Sequence, residues 1–277
     1  MIAQKDLHLF GDRRRLLLQA SAFVCLRPHP HLSAYISSYN ITFPTKHIMP
    51  DGFTAMPCGC ATLVIENNGK DLFVALDGPT TKPHIVGSQA NQLKMLVTVE
   101  FRPAGLYALT GISQSELADE TIALDAVRPK LSKSLRDAME RAGSVCQLAA
   151  SLDALLLENM VAAYHPQFVA ALERMVGCAG NIGVKKLSSD VHYSERQLNR
   201  IFKQHAGVSA KSFSRFIRIH NAFRLIQKPH HSLTLVSDVM GFHDLSHFVR
   251  DFRSVCGITP QAYRNNMSGF YINPKKY

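Results

Sequence analysis

The 277-residue chain contains no G-x-S-x-G elbow, no H-E-x-x-H pair and no glycine-rich phosphate loop. Each of those spacings positions a reacting group, so their absence removes the common nucleophilic, zinc-protease and phosphate-handling signatures and argues against an enzyme. No run approaches the roughly 20 apolar residues that carry a helix across a bilayer. The six cysteines, Cys25, Cys58, Cys60, Cys146, Cys178 and Cys256, are scattered without C-x-x-C spacing. That pattern implies no disulfide framework and suits reduced thiols of a cytosolic protein. Charged residues make up 19% and apolar residues 46%, enough for real cores in two domains of ordinary size. Acidic residues are scarcest toward the C-terminal end. Residues 166–277 hold 16 Lys and Arg against 6 Asp and Glu, and residues 1–165 hold 15 of each, so the net charge of +10 sits in the second part. Lys and Arg that neutralise phosphates release condensed counterions, which makes a confined basic excess the footprint of polyanion binding; a solvated basic surface is the plain alternative.

That basic part repeats itself. A shift of fifty positions lays Leu198, Arg200, Phe202 and Gly207 on Phe248, Arg250, Phe252 and Gly257, and Val208, Ser209 and Phe213 on Ile258, Thr259 and Tyr263. Upstream the shift is forty-nine, pairing Leu187 with Val236 and Ser188 with Ser237, so the second copy carries one extra residue in its turn. Turns tolerate such insertions.

Each copy reads as a helix-turn-helix. In the first, Val184–His192 forms a supporting helix with Leu187 and Val191 on its buried stripe, and Ser194-x-x-Gln197 is a capping box that opens a helix running to His205. Leu198, Ile201 and Phe202 form its apolar face, leaving Arg196, Asn199, Arg200 and Lys203 outside. Arg donates two parallel hydrogen bonds to guanine, and Asn both donates to and accepts from adenine, so this face suits a major groove. Gly207 closes the helix and Ser209 caps the next, in which Phe213, Phe216, Ile217, His220, Phe223 and Ile226 mark one stripe of a long strut. Arg215, Arg218 and Arg224 on that strut either reach the phosphate backbone or bond within the fold. The second copy follows with Leu233–Met240, Gly241, Phe242, a cap at Asp244 and a reading helix that turns Phe248, Val249 and Phe252 inward and Ser246, His247, Arg250 and Arg253 outward. Thr259-Pro260 opens a final short helix.

The stretch from GVKKLSSDVHYSERQLNRIFKQHAGVSAKSFSRFIRIHNAFRLI to SLTLVSDVMGFHDLSHFVRDFRSVCGITPQAYR, roughly residues 167–266, resembles the DNA-binding domain of AraC/XylS-type bacterial transcription regulators. The resemblance implies two helix-turn-helices in one monomer, joined by a long helix, with their second helices in successive major-groove segments on one face of double-stranded DNA. By position it makes Arg196, Asn199, Arg200, Ser246, His247 and Arg250 base-reading residues and Ser194, Lys203, Lys211 and Arg253 backbone contacts. It also implies RNA polymerase, an unidentified small-molecule effector and a second copy of the chain as candidate partners, with no cofactor, metal or membrane. Ser188 and Ser237 stand where the family usually has alanine; a hydroxyl there can bond back to a carbonyl one turn earlier.

Residues 1–128 read as a β-rich sensing or dimerisation domain. Short apolar runs at Ala61–Ile65, Leu72–Leu76 and Leu93–Phe101 alternate with the turn signals Asp51-Gly52, Asn67-Asn68-Gly69 and Asp77-Gly78-Pro79. Residues 129–165 turn helical, with Val145, Leu148, Ala149, Leu152, Leu155 and Leu156 at helical spacing, a stripe that suits a core before a dimer seam. The elements Pro28-x-Pro30-x-Leu32-x-x-Tyr35-Ile36, Pro50-Asp51-Gly52, Phe101-Arg102-Pro103-x-Gly105 and Leu117-Ala118-Asp119 resemble the N-terminal domain of one AraC-family branch. A tryptophan common near Tyr39 in that branch is missing, and the chain has none. Arg102 either clamps a ligand carboxylate or pairs with Asp119 or Glu120. His47, Asp51, Cys58 and Cys60 lie close in sequence and form the alternative, a metal- or thiol-reactive sensor or a DNA-targeted enzyme. Arg13-Arg14-Arg15 before Leu16-Leu17-Leu18 has the outline of a signal peptide, but Gln19 ends the run early and Asp6 and Asp12 precede it, so a cytoplasmic protein is expected. The expected class is α+β, with residues 166–277 as the double helix-turn-helix domain.

Overall fold

The computed structural model describes residues 2–10, 12–44, 54–85 and 88–265. The expected Asp51-Gly52 turn and His47 lie outside them.

The β-rich part is antiparallel. Strands β1 (Leu16–Gln19), β2 (Phe23–Leu26), β3 (Ile36–Thr42), β5 (Thr62–Asn67), β6 (Leu72–Asp77), β8 (Met95–Phe101) and β9 (Thr121–Ala123) form one sheet in the order β1-β2-β3-β8-β5-β6-β9. Strands β4 (Thr54–Ala55) and β7 (His84–Ile85) pair separately. The alternating pattern decides which face is covered. Tyr39, Ile41, Leu63, Ile65, Val97 and Val99 point into the core, while Asn40, Thr62, Thr98 and Glu100 line the other face. On that face Asn40 Nδ2 donates to Thr98 Oγ1 (3.0 Å), Thr98 Oγ1 to Glu100 Oε1 (3.1 Å) and Thr62 Oγ1 to Glu100 Oε2 (3.3 Å). The β5–β6 turn forms where the asparagines stand: Gly69 N donates to Asn67 Oδ1 (2.7 Å), and the amides of Lys70 and Asp71 to Asn68 Oδ1 (2.8 Å each).

Helices α1 (Gly105–Thr110), α2 (Gln114–Leu117) and α3 (Leu124–Val127) are short, and α4 (Pro129–Arg141) and α5 (Val145–Asn159) cover the sheet. Val145, Leu148, Ala149, Leu152 and Leu156 of α5 join the same apolar cluster as the strands, so the leucine stripe is core. One acid interrupts it. Asp153 accepts from Arg15 Nη1 (2.8 Å), Tyr39 Oη (2.9 Å) and the amide of His29 (2.8 Å), tying α5 to the sheet and to the segment before the 3-10 turn Pro30–Leu32. Arg102 reaches neither Asp119 nor Glu120; its Nε donates to Ser33 O at 2.8 Å and holds the start of β3.

A second apolar cluster is built from α6 (Pro166–Gly177), α7 (Val184–Asp190), α8 (Glu195–Ala206), α9 (Ala210–Ile226), α10 (Leu233–Val239), α11 (Leu245–Cys256) and α12 (Pro260–Asn265). Ala104, with Met56 and Tyr107 packed beside it, extends this cluster from the β-rich part. Gln204 Nε2 donates to Tyr107 Oη (3.1 Å), the Tyr107 and His205 rings lie 4.4 Å apart, and His220 Nε2 stands 2.9 Å from Pro57 O.

Replacing Asp153 by Ala leaves the Arg15 guanidinium and the Tyr39 hydroxyl without their buried acceptor, and a loss of about 3 kcal/mol is expected. Urea unfolding of the variant measures it; an unchanged midpoint contradicts this role for Asp153.

Candidate nucleic-acid interface

Local chemistry sets both helix-turn-helices. Supporting helix α7 ends at Asp190, two residues short of the expected His192, because His192 itself turns left-handed (φ 57). In the second copy Gly241 takes that conformation (φ 69), and the turn from Met240 to Asp244 is one residue longer than that from Val191 to Ser194, as the shift from forty-nine to fifty requires. The capping box is formed: Ser194 Oγ accepts from Gln197 N (3.2 Å) while Gln197 Oε1 accepts from Ser194 N (3.0 Å). In the second copy Asp244 Oδ1 accepts from His247 N at 2.6 Å. That bond holds the Asp244 carboxyl below the usual carboxylate range, with His243 adding to it. Gly207 (φ 76) and Gly257 (φ 73) close the two reading helices in left-handed C′ conformations, which glycine adopts without a steric penalty.

Leu198, Ile201 and Phe202 of α8 and Phe248 and Phe252 of α11 are buried. Arg196, Arg200 and Lys203 are exposed at i, i+4 and i+7, on one face of α8. Ser246, Arg250 and Arg253 are exposed at the same spacing on α11. The two faces therefore carry matched rows. Ser194 and Lys211 are also exposed, at the starts of α8 and α9.

Two expected readers are held differently. Asn199 is half-buried, and its Oδ1 accepts from Ala210 N (3.1 Å), fastening the middle of α8 to the start of the strut. His247 is half-buried with its ring edge-on to Phe242 at 5.4 Å. The strut arginines also separate. Arg215 forms an ion pair with Asp251 (Nε to Oδ1 3.0 Å) and its Nη2 donates to Asp251 O (3.5 Å), tying α9 to α11. Arg218 lies 5.1 Å over the Phe242 ring, where burial lowers its pKa from the ordinary arginine value. Arg224 stays exposed. Sequence reasoning missed Arg264, whose Nη2 donates to His231 O (2.7 Å) and Nε to Ile226 O (3.2 Å), stitching the C-terminal end of α9. It also missed Asp251; an acid between Arg250 and Arg253 on the inner edge of a reading helix was the available signal.

The serines that stand for alanine differ. Ser188 Oγ donates to Lys185 O (3.0 Å), the expected bond one turn back. Ser237 Oγ is buried without a partner, so the expectation fails there. The alternative based on Cys58 and Cys60 finds both side chains buried, at 2% and 3% exposure. No group of three metal-ligating side chains occurs among the described residues.

Fold and surface together define a double helix-turn-helix DNA-binding domain. Residues 187–266 match a family model described as a helix-turn-helix domain, and residues 25–123 match one described as a domain of unknown function, DUF6597. The chain is similar to an uncharacterized HTH-type transcriptional regulator, YobQ, of Bacillus subtilis, at 33% identity over 84 residues, 30% of this chain and 35% of that protein. Among solved structures it is similar to an AraC-type DNA-binding domain-containing regulator from Chromobacterium violaceum (26% identity, 37% of this chain, 96% of that one, TM-score 0.34). Another is ToxT from Vibrio cholerae (13% identity, 85% and 92% of the two chains, TM-score 0.43). The chain spans about a third of the length of the curated relatives it matches. Over its C-terminal domain the chain is thus similar to helix-turn-helix transcriptional regulators, and these findings point to regulators rather than enzymes. No helix among the described residues is long and apolar enough to cross a membrane.

Removing the unpartnered hydroxyl with Ser237→Ala is expected to stabilise the domain by about 1 kcal/mol, since a buried hydroxyl without a hydrogen bond costs that much or more. Ser188→Ala, which gives up a formed bond, is expected to stabilise less or not at all. Equal shifts in thermal midpoint contradict the difference. His205 supplies a pH prediction. It is buried against Tyr107, Phe168 and His165, and that burial lowers its pKa below the ordinary 6.5. The unfolded ring takes its proton near that value, so stability is complete above it and falls as pH drops through it, by at most about 1.4 kcal/mol per pH unit. His205→Phe is expected to flatten the loss of stability as pH falls below about 6.5.

Proposed function

We propose that the chain is a sequence-specific, DNA-binding transcriptional regulator that lays α8 and α11 into successive major-groove segments. The observation that carries this reading is the pair of matched exposed rows, Arg196, Arg200 and Lys203 against Ser246, Arg250 and Arg253, each behind a capped helix start. Arg196, Arg200 and Arg250 read guanine edges and Ser246 a neighbouring base, while Ser194, Lys203, Lys211 and Arg253 meet phosphates. Asn199 keeps its amide NH2 for a base while its oxygen positions the strut, and His247 presents one ring edge. Residues 166–277 act as the reader, residues 1–128 as the sensing or dimerisation domain, and residues 129–165 connect them while covering the sheet. In this reading a small polar effector is recognised on the sheet face that carries Asn40, Thr62, Thr98 and Glu100, and RNA polymerase or a second copy of the chain completes the complex in the cytoplasm.

Arg200→Ala and Arg250→Ala are each expected to lose about 1–3 kcal/mol of specific binding and to relax base preference in different, adjacent segments. Sites selected from a random oligonucleotide pool supply the DNA. Uniform weakening on every sequence makes these arginines backbone contacts instead. With three cationic phosphate contacts, affinity of the full chain is expected to fall about fortyfold between roughly 50 and 200 mM salt; salt-independent binding removes the phosphate assignments.

A further inference from the structure

The loop from β6 to β7, residues 78–83, runs beneath both reading helices. A Cβ on Gly207, the residue that closes α8, would stand 3.2 Å from Pro79 Cγ, and one on Gly257, which closes α11, would stand 3.3 Å from Pro83 Cγ. Two prolines four residues apart therefore touch the C-terminal ends of both reading helices. Glycine at those ends serves a left-handed cap and also admits the prolines.

The loop is braced. Gly78 N donates to Glu120 O (2.9 Å), Asp119 N to Pro79 O (3.1 Å), and Gly59 N to Thr80 O (3.1 Å). Thr81 donates to Asp119 through its amide (2.6 Å) and its hydroxyl. Gly78 also has to be glycine, because a Cβ there would fall 1.7 Å from Leu117 O. Asp119 is left-handed (φ 61), a conformation in which Asp and Asn are the tolerated residues after glycine. Beyond Thr80, the 57–59 segment meets the middle of the strut: Pro57 O lies 2.9 Å from His220 Nε2, and a Cβ on Gly59 would lie 3.0 Å from Phe216 Cδ2. Gln114 of α2 closes the frame, its carbonyl 2.9 Å from a Cβ placed on Gly207. The β-rich part thus grips both reading helices and the helix that joins them.

We propose that the 78–83 loop is a spacer that sets the separation and phase of α8 and α11, and that Asp119 is its positioning residue. The proposal rests on the DNA-reading assignment above and adds how the two readers are held in register. Helix α9 ties the two copies at their cores; the loop ties them at their ends. Because the loop continues strand β6, a shift of that strand relative to α2 changes the geometry of both ends at once.

The test uses the full chain and the DNA it selects from a random pool, together with versions in which one base pair is inserted or deleted between the two half-elements. One base pair turns the second half-element by about 35° and moves it about 3.4 Å. The wild-type chain is expected to lose at least tenfold in affinity on either altered DNA. Asp119→Ala, which removes both acceptors, and Pro83→Ser, which removes the contact at Gly257, are expected to bring the altered and selected DNAs within about threefold of each other. Asp119→Asn, which retains the Oδ1 acceptor and tolerates the left-handed backbone, is expected to restore most of the preference. A purely structural role moves affinity on all three DNAs together and leaves their ratio alone. Pro83→Ser decides the matter if Asp119→Ala does not fold. The spacer is overturned if the folded variants keep the wild-type ratio while Arg200→Ala still relaxes one half-element; if the wild-type chain selects no sequence at all, the DNA-reading assignment fails instead.

Discussion

Everything in the C-terminal half depends on one helix being shared. Helices α7 and α10 have seven residues each and α8 and α11 twelve, lengths at which an isolated helix is marginal in water. They persist because α9 supplies an apolar surface to both pairs. Phe213 meets Phe202 of the first copy at 5.8 Å, and Phe223 meets Phe252 of the second at 5.5 Å. Burying a phenylalanine is worth about 1.5–3 kcal/mol, so each contact is large against the stability of so small a unit. The cores of the two copies are therefore joined through aromatic residues spaced along the seventeen residues of the strut.

Electrostatics follow from how few acids the domain has and where they are placed. Asp244 is used at a helix N-terminus and Asp251 against Arg215, so these two are committed to the fold. Among the described residues no ion pair holds Arg196, Arg200 or Arg253, and Arg250 has the Asp244 carboxyl near it. Such a surface attracts polyanions over a distance set by the ionic strength.

Much of this could be read before the fold was known. The duplicated spacing, the caps at Ser194, Asp244 and Thr259 and the closing glycines are short-range features, governed by residues three to five apart, and the structure keeps them all. The alternating runs of the β-rich part were legible for the same reason. What the sequence did not show are contacts between separate elements. The Asn199 oxygen is also used by Ala210 at the start of the strut, and Arg102 donates to Ser33 and not to Asp119. Ser188 and Ser237 occupy equivalent places in the repeat, yet only one finds a carbonyl, because neighbouring backbone and not sequence position supplies the acceptor.

Helical period, capping chemistry and the surplus of Lys and Arg, all local quantities, determined from sequence alone that two basic helix-turn-helices follow a β-rich half. Tertiary structure decided which arginines remain outside and which are spent on Asp251 or Phe242, that α5 covers a sheet instead of a partner, and that a loop near residue 80 lies under helices ending near 207 and 257. Those outcomes depend on what packs against what between elements well separated in sequence, and side-chain periodicity carries no information about such contacts.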